Sequence, residues 1–276
     1  MSNISILITC HNRKEKTIKC LEDLNKQLNK YEFKITVFLV DDGSTDGTKD
    51  AVNRQFPKAK IIKGDGNLFW NRGMNLAWKE ATKINPDYYV WLNDDTFLVE
   101  DALNILLQSC IEKKNQSIIV GSTISKINQL ITYSGRTEKG DLILPNGSLQ
   151  ECHHFNGNVV MIPKNIFEKI GFLDSAFHHS IGDFDYGLRA RKNSILSFIA
   201  PKPLGYCEYH DILPTYFDPE VSYLLRLKAL YKSSSGVNPR QHFIFDKRHK
   251  GLVIASFHFI TINIRALIPK LWRNNH

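Results

Sequence analysis

The sequence predicts an α/β protein: a mostly parallel sheet flanked by helices, with a helical C-terminal extension. Three observations lead there. Over roughly the first 120 residues, short runs of β-forming residues alternate with stretches whose apolar positions recur every three or four residues. The runs end in turns rich in Asp, Asn, Gly and Ser. From Pro219 onward the alternation gives way to helical periodicity alone.

Residues 4–9 read as the first strand, and Ile18, Leu21, Leu24 and Leu28 then mark the apolar face of a helix. Residues 35–40 are the second strand, ending in Asp41-Asp42-Gly43-Ser44-Thr45-Asp46-Gly47-Thr48, where Ser44 or Thr45 is placed to cap the next helix. Residues 59–63 are a third strand, 64–67 a turn, 71–84 a helix, and 88–92 a fourth strand that stops at Asn93-Asp94-Asp95. Such alternation implies right-handed crossovers, and ligands of such sheets bind beyond the carboxyl ends of the strands. The acidic turns at 41–42 and 93–95 are therefore expected at one rim. From 120 to 210 the pattern loosens into short strands, turns and two helices on the same sheet, with no Pro/Ser-rich linker. The expected organisation is one domain over 1–215, with a nucleotide-binding half (1–120) and an acceptor half (121–215). A helical extension (216–276) follows, in which Leu224, Leu225, Leu227, Leu230 and Tyr231 form an apolar face.

Of the 276 residues 42% are hydrophobic and 23% charged, an ordinary soluble globular balance. A formal charge of +8 favours anionic partners, and nucleic acid, an anionic membrane surface or a phosphorylated substrate all qualify by charge alone. Cys10, Cys20, Cys110, Cys152 and Cys207 are scattered and never spaced as Cys-x-x-Cys, which argues against a disulfide framework or thiolate zinc site and fits a reducing cytoplasm. No signal-peptide pattern is read at the N-terminus. The apolar stretch 252–264 is interrupted by Ser256, His258, Thr261 and Asn263 and falls short of the roughly 20 residues that span a bilayer, so no transmembrane segment is expected. A dinucleotide-binding dehydrogenase needs Gly-x-Gly-x-x-Gly after the first strand, and Thr9-Cys10-His11-Asn12-Arg13 contains no glycine.

Three segments occur in order: Ile6 to Arg13, Val40-Asp41-Asp42-Gly43-Ser44-Thr45-Asp46-Gly47-Thr48, and Trp91-Leu92-Asn93-Asp94-Asp95. Together they resemble the inverting glycosyltransferases of family 2, which have the Rossmann-like GT-A fold. The second segment matches that family's Val-Asp-Asp-Gly-Ser-x-Asp-Gly-Thr signature residue for residue. The resemblance implies that Thr9, Asp41 and Asp42 line a nucleotide pocket, with Arg72 near the diphosphate; a solvated Arg on a helix is the other reading of Arg72. Asn93 departs from the family's Asp-x-Asp at its first position and is expected to address the ribose, with Asp94 beside it shaping the turn and the nucleotide site. Asp95 is the implied ligand of Mn2+ or Mg2+, which would hold the diphosphate.

The segment Ser180-Ile181-Gly182-Asp183-Phe184-Asp185-Tyr186-Gly187-Leu188-Arg189 resembles the family's Glu-Asp-x-Asp-x-x-x-Arg, which makes Asp183 the implied catalytic base, with Gly182 in place of an acidic neighbour. The residues themselves also permit an N-cap at Asp183 and an i,i+4 ion pair between Asp185 and Arg189. Asn156, Gly157 and Trp91 are implied on the acceptor and sugar side, Gly157 by letting backbone approach the sugar or simply by making a turn. His210 is implied as a further metal ligand, or is a structural histidine; His153-His154 carry no assignment.

The function the resemblance implies is a metal-dependent inverting glycosyltransferase. It would move a hexosyl or deoxyhexosyl group, such as rhamnose, from a UDP- or dTDP-sugar donor to a glycan or lipid-linked glycan. The relatives it resembles build bacterial surface polysaccharide (O-antigen or capsule). The alternative is a noncatalytic sugar-nucleotide or glycan-binding relative, which the changes at Asn93 and Gly182 leave open. Nucleic acid is not an expected partner. Basic residues at Lys247, Arg248, Lys250, Arg265, Lys270 and Arg273 flank the apolar C-terminal helix. Peripheral attachment to the cytoplasmic face of an inner membrane, or packing of the helix on the domain or in a homodimer, are both open.

Overall fold

A computed structural model describes residues 1–27, 33–209, 214–232 and 234–275. They form two compact units: Met1–Asp174 with Asp183–Tyr209, and Ser175–Gly182 with the described part of His210–His276.

The first unit opens with β1 (Ser2–Cys10), α1 (Lys14–Gln27), β2 (Phe33–Asp41), α2 (Thr48–Gln55), β3 (Lys60–Lys63), α3 (Phe69–Thr82) and β4 (Tyr88–Leu92). Strands β3, β2, β1 and β4 lie side by side and parallel, the expected alternation with ends shifted by a residue or two; Leu28 lies outside the described residues. The chain continues through β5 (Phe97–Leu98), α4 (Ala102–Glu112), β6 (Ser117–Val120), β7 (Thr123–Ile124), β8 (Ile131–Tyr133), β9 (Gly135–Arg136), β10 (Gln150–Cys152) and β11 (His154–Phe155). It ends with β12 (Val159–Pro163), α5 (Lys164–Ile170), α6 (Gly182–Lys192), β13 (Leu196–Ile199) and β14 (Gly205–Tyr206). The main sheet runs β10-β13-β6-β12-β4-β1-β2-β3, and β12 enters it antiparallel to both β4 and β6. A four-stranded sheet (β5-β14-β7-β8) and a β9-β11 ribbon complete the unit.

All five residues of β4 are buried, as a central strand covered on both faces requires. Their alternation feeds two cores. Tyr88, Val90 and Leu92 join Ile4, Ile6 and Ile8 with α1 and α4 on one face; Tyr89 and Trp91 join α3, α5 and α6 on the other. Trp78 of α3 anchors the second face, its ring 5.5 Å from Tyr89, Trp91 and Tyr186 and 5.2 Å from Phe167. These edge and tilted contacts pin α6 to the sheet.

The loops after β1 and β2 interlock. Ser44 and Thr45 do not cap α2: the N-cap is Gly47 at φ +81°, a left-handed turn that leaves Asp46 next to the first free N–H groups. Asp46 Oδ1 accepts from Thr48 N (3.0 Å) and Oδ2 from Lys14 N (2.9 Å), so one carboxylate serves the starts of α1 and α2. Slight burial opposes ionisation of Asp46, but the Thr48 hydroxyl and the N–H groups of Lys14 and Thr48 outweigh it and hold the carboxyl below its usual range. Ser44 is used elsewhere, its Oγ accepting from Asn12 N (2.9 Å), while Thr45 N donates to Asn12 Oδ1 (2.7 Å).

The second unit holds α7 (Tyr223–Leu230), α8 (Pro239–His249) and α9 (Leu252–Leu267), with 3-10 turns at Thr215–Phe217 and Pro269–Asn275. Asn238 caps α8 by accepting from Arg240 N (3.0 Å) and Gln241 N (3.3 Å) ahead of Pro239. Its core is Tyr216, Leu230, Ile262, Ala266 and Trp272. The expected apolar face of α7 is corrected: Leu224 and Leu225 stand 74% and 57% exposed, because Arg226 and Leu230 take the inward positions. The Arg226 guanidinium is directed at the carbonyl end of α9, donating to Ala266 O (2.9 Å).

Replacing Asp46 by Ala removes both helix-start bonds, and the expected loss is about 1–2 kcal/mol of stability, read as a lowered denaturant midpoint; an unchanged midpoint would show that neither bond holds the loops.

Candidate active site

At the carboxyl end of β2 the two acidic residues have different tasks. Asp42 is 3% exposed. Its Oδ1 accepts from Gly66 N (2.8 Å), and its Oδ2 from Leu68 N (2.9 Å) and Phe69 N (3.0 Å), where α3 begins. A carboxylate at that helix start satisfies orphan N–H groups and the helix dipole together. Asp42 is thereby spent on shaping the loop, whereas Asp41 uses Oδ1 to accept from Ser44 N (3.0 Å). Thr9 is roofed by α3: a Cβ on Gly73 would collide with the Thr9 hydroxyl, so helix and strand meet only because residue 73 has no side chain. Arg72 lies half-buried in the first turn of the same helix.

The turn after β4 carries a second acidic pair. Asp94 and Asp95 are 4% and 5% exposed. Asp94 Oδ1 and Asp95 Oδ2 converge on one nitrogen, Nη1 of Arg13, at 3.0 and 2.9 Å. Burial, aided by the like charge of Asp95, pushes the Asp94 carboxyl up to about 6 against the pull of Arg13 and Lys16. Two hard oxygens aimed at a single cationic point make a fitting half-site for a divalent ion. Mg2+-type sites use one or two carboxylates and leave the remaining positions to phosphates and water. Among the described residues no group of three His, Cys, Asp or Glu forms a fuller cage. His210 lies outside the described residues.

Asn93 faces the other way. Trp70 Nε1 donates to Asn93 Oδ1 at 2.7 Å. An indole N–H can only donate, so the amide must present its oxygen to Trp70 and its NH2 elsewhere. Residue 93 thus offers a donor, suited to a hydroxyl or phosphate oxygen rather than to a cation.

Trp70 also reaches the other half of the site. A Cβ on Gly157 would lie 2.7 Å from the Trp70 ring edge and 3.2 Å from Asp183 Cβ, so Gly157 is needed where indole, backbone and carboxylate close together. The Gly157 N–H donates to Asp183 Oδ2 (2.8 Å) and Phe184 N to Oδ1 (2.9 Å). Asp183 sits in the first turn of α6, just after Ile181, whose φ of +60° is strained for a β-branched residue. Burial raises the Asp183 carboxyl to about 6, outweighing the N–H bonds of Gly157, Phe184 and Asp183 and the charge of Arg136. Arg136 Nε donates to Asn156 Oδ1 (3.2 Å), and the Arg136 guanidinium acts on the Asp183 carboxyl through its charge. The neighbouring Asp185 is fully buried and paired with Arg189 Nε at 2.8 Å. Arg189 also donates to the carbonyls of Ile170 and Phe172 and so ties α6 to the loop after α5.

Trp91 is corrected most. It is fully buried, with rings of Trp78, Tyr186 and Trp70 5.1 to 5.9 Å away, and it touches no surface that a sugar can reach. Its place at the site is taken by Trp70, packed edge-on against it. Trp70, Arg13 and Arg136 are the residues sequence reasoning missed. Arg13 had a signal, a cation just past the first strand on the acidic rim; Trp70 and Arg136 had none, since their partners lie 20 to 87 positions away.

The model of the family described as glycosyl transferase family 2 matches residues 5–171. Among curated proteins the chain is similar to the low-salt glycan biosynthesis hexosyltransferase Agl10 of Haloferax volcanii, 23% identical over 162 residues, covering 55% of this chain and 50% of that protein. The chain thus spans about half the length of the curated relative it matches. Among solved structures it resembles the mannosyltransferase PcManGT from Pyrobaculum calidifontis in complex with GDP-Man and Mn2+, with TM-score 0.58 and 15% identity over 96% of this chain and 72% of that one. TarS 1-349 of S. aureus gives TM-score 0.55 and 15% identity, covering 96% and 81%. At such identity these likenesses show the fold, which is GT-A.

Gly157→Ala is expected to push the Trp70 ring off its seat and to cost about 1–3 kcal/mol by overpacking, with an altered tryptophan near-UV dichroism band. Trp70→Ala in the same chain removes the clash and should recover the stability lost relative to Trp70→Ala alone; no recovery would place the clash elsewhere.

Proposed function

The chain belongs to glycosyltransferase family 2, and from that premise we propose that it is a metal-dependent inverting glycosyltransferase acting from a nucleotide-sugar donor on an acceptor hydroxyl. The observation that carries this reading is Asp183: a half-buried carboxylate, oriented by two backbone N–H groups, raised toward neutrality and joined through Gly157 and Trp70 to the Asn93-Asp94-Asp95 turn. A base needs that combination of fixed direction and a pKa just below the working pH. With one lone pair on each oxygen engaged by backbone, the remaining lone pairs accept the acceptor's proton as its oxygen attacks the anomeric carbon. One base and one displacement invert the configuration.

On the donor side the Asn93 amide donates to a ribose or phosphate oxygen, and Arg72 at the start of α3 faces the diphosphate. Asp95 and Asp94 would hold Mn2+ or Mg2+ at the point now neutralised by Arg13, which would swing away or share the phosphate charge. That ion supplies stabilisation of the charge left on the departing nucleoside diphosphate. The GDP-Man and Mn2+ bound by the Pyrobaculum mannosyltransferase and the hexosyltransferase description of the Haloferax relative support a nucleotide-sugar, a divalent ion and a hexose-sized group. A UDP- or dTDP-linked hexose or deoxyhexose such as rhamnose, passed to a glycan or lipid-linked glycan of a bacterial surface polysaccharide in the cytoplasm, is the finer proposal, and it rests on the motif resemblance.

Nucleotide sugars on UDP, dTDP and GDP with Mn2+ are to be screened for thermal stabilisation, since a bound donor raises the melting temperature by mass action. Asp183→Asn should keep the stabilisation of the wild type while transfer falls about 100-fold or more; an active Asn variant sinks the base, and a wild type that binds donor but never transfers favours the noncatalytic reading. The pH dependence has a definite sign. The folded carboxyl is raised to about 6 and acts ionised, so transfer should be full above that pH and fall as pH drops through it. Because Arg136 favours the ionised form, Arg136→Gln should move this limb to higher pH, and a limb that stays put would dissociate it from Asp183.

A further inference from the structure

The second unit leaves an apolar surface uncovered. Along α9, Ala255, Ile262 and Ala266 point inward. Val253, Phe257, Ile260, Ile264 and Leu267 recur at spacings of four and three, and at 100° per residue they occupy the opposite side. Val253 is 83% and Phe257 63% exposed, and Leu271 continues the row beyond the helix. Single exposed leucines are ordinary; a continuous row with residues this large marks a contact surface.

Charge identifies the occupant. From residue 210 onward the chain has ten Lys and Arg against four Asp and Glu, while the rest has 26 against 24. Three quarters of the net charge therefore belongs to this unit. Asp246, one of the four acids, is already held by Lys250 Nζ (2.9 Å) and His258 Nδ1 (2.8 Å). Lys247 and Lys270 are exposed just before and just after the helix that bears the row. Pairing two copies through this surface would bring two strongly positive units together, which like charges disfavour; an anionic lipid surface accepts both the apolar row and the lysines. No helix among the described residues is long and apolar enough to cross a membrane, so the helix would lie in the plane of the interface.

We propose that the exposed row of α9 docks this protein on an anionic lipid bilayer. The inference is independent of the catalytic reading and is tested without donor or acceptor. The full chain is mixed with vesicles of phosphatidylcholine alone or with phosphatidylglycerol added, and partition is measured by sedimentation. Binding is expected on the anionic vesicles, weakened by salt, with the emission of a Phe257→Trp variant shifting to the blue as the residue enters the interface. Phe257→Glu should weaken partition more than about tenfold and Lys270→Glu by about fivefold or more, with melting temperatures unchanged because both positions are exposed. Absence of binding by the wild type, or full binding by Phe257→Glu, overturns the proposal. Equal partition onto phosphatidylcholine alone overturns its charge component. A dimer in light scattering that Phe257→Glu dissolves, without vesicle binding, assigns the surface to a second copy instead.

Discussion

The carboxylates gathered at the carboxyl ends of the sheet must be solvated by protein groups in place of water, and the loops of the first unit take the form that meets this demand. An ionised carboxylate removed from water without partners is too costly to persist. Asp42 is therefore enclosed by the N–H groups that lead into α3, while exposed Asp46 binds those that begin α1 and α2. The same need draws Arg13 across to Asp94 and Asp95 and turns the Gly157 N–H toward Asp183. Each acidic residue fixes a loop, and the loops together define the rim.

Within this rim the carboxyls divide by how completely they are compensated. Asp46, lightly buried and fed by N–H groups and a hydroxyl, is held below the usual range. Asp94 and Asp183 are pushed up to about 6, because burial exceeds what their partners return. Groups pushed apart in this way take different chemical tasks. Asp46, the lowered one, ties the starts of two helices. Of the two raised ones, Asp94 converges with its neighbour on a cation, and Asp183 stands alone with lone pairs to spare. Trp70 joins the two regions: its N–H orients the Asn93 amide while its ring edge fills the space above Gly157.

The C-terminal unit follows another rule. Its helices bury one side among themselves through Leu230, Ile262, Ala266 and Trp272, and Arg226 closes the carbonyl end of α9. The apolar residues of the opposite side are left over by that packing. A sequence reading finds the apolar content of α7 and α9 but cannot say which side is used internally, because helices this apolar have two candidate faces. Leu224 and Leu225 were expected inward and lie outward for that reason.

Residue patterns alone determined the alternation of strands and helices, the parallel direction of the first four strands, and the succession of the acidic turns along the chain, since a strand or helix face is written within a few consecutive residues. The signature at residues 40–48 pointed to the family, and the Asp185–Arg189 pair followed from spacing along one helix. Tertiary structure alone decided which partners each acidic residue takes, that Trp91 belongs to the core while Trp70 reaches Asn93 and Gly157, and that Arg13 stands between Asp94 and Asp95. These outcomes depend on groups 23 to 87 residues apart meeting at a few ångströms. Local periodicity carries no record of such meetings. They are settled only when both cores close and every buried charge has found its partner.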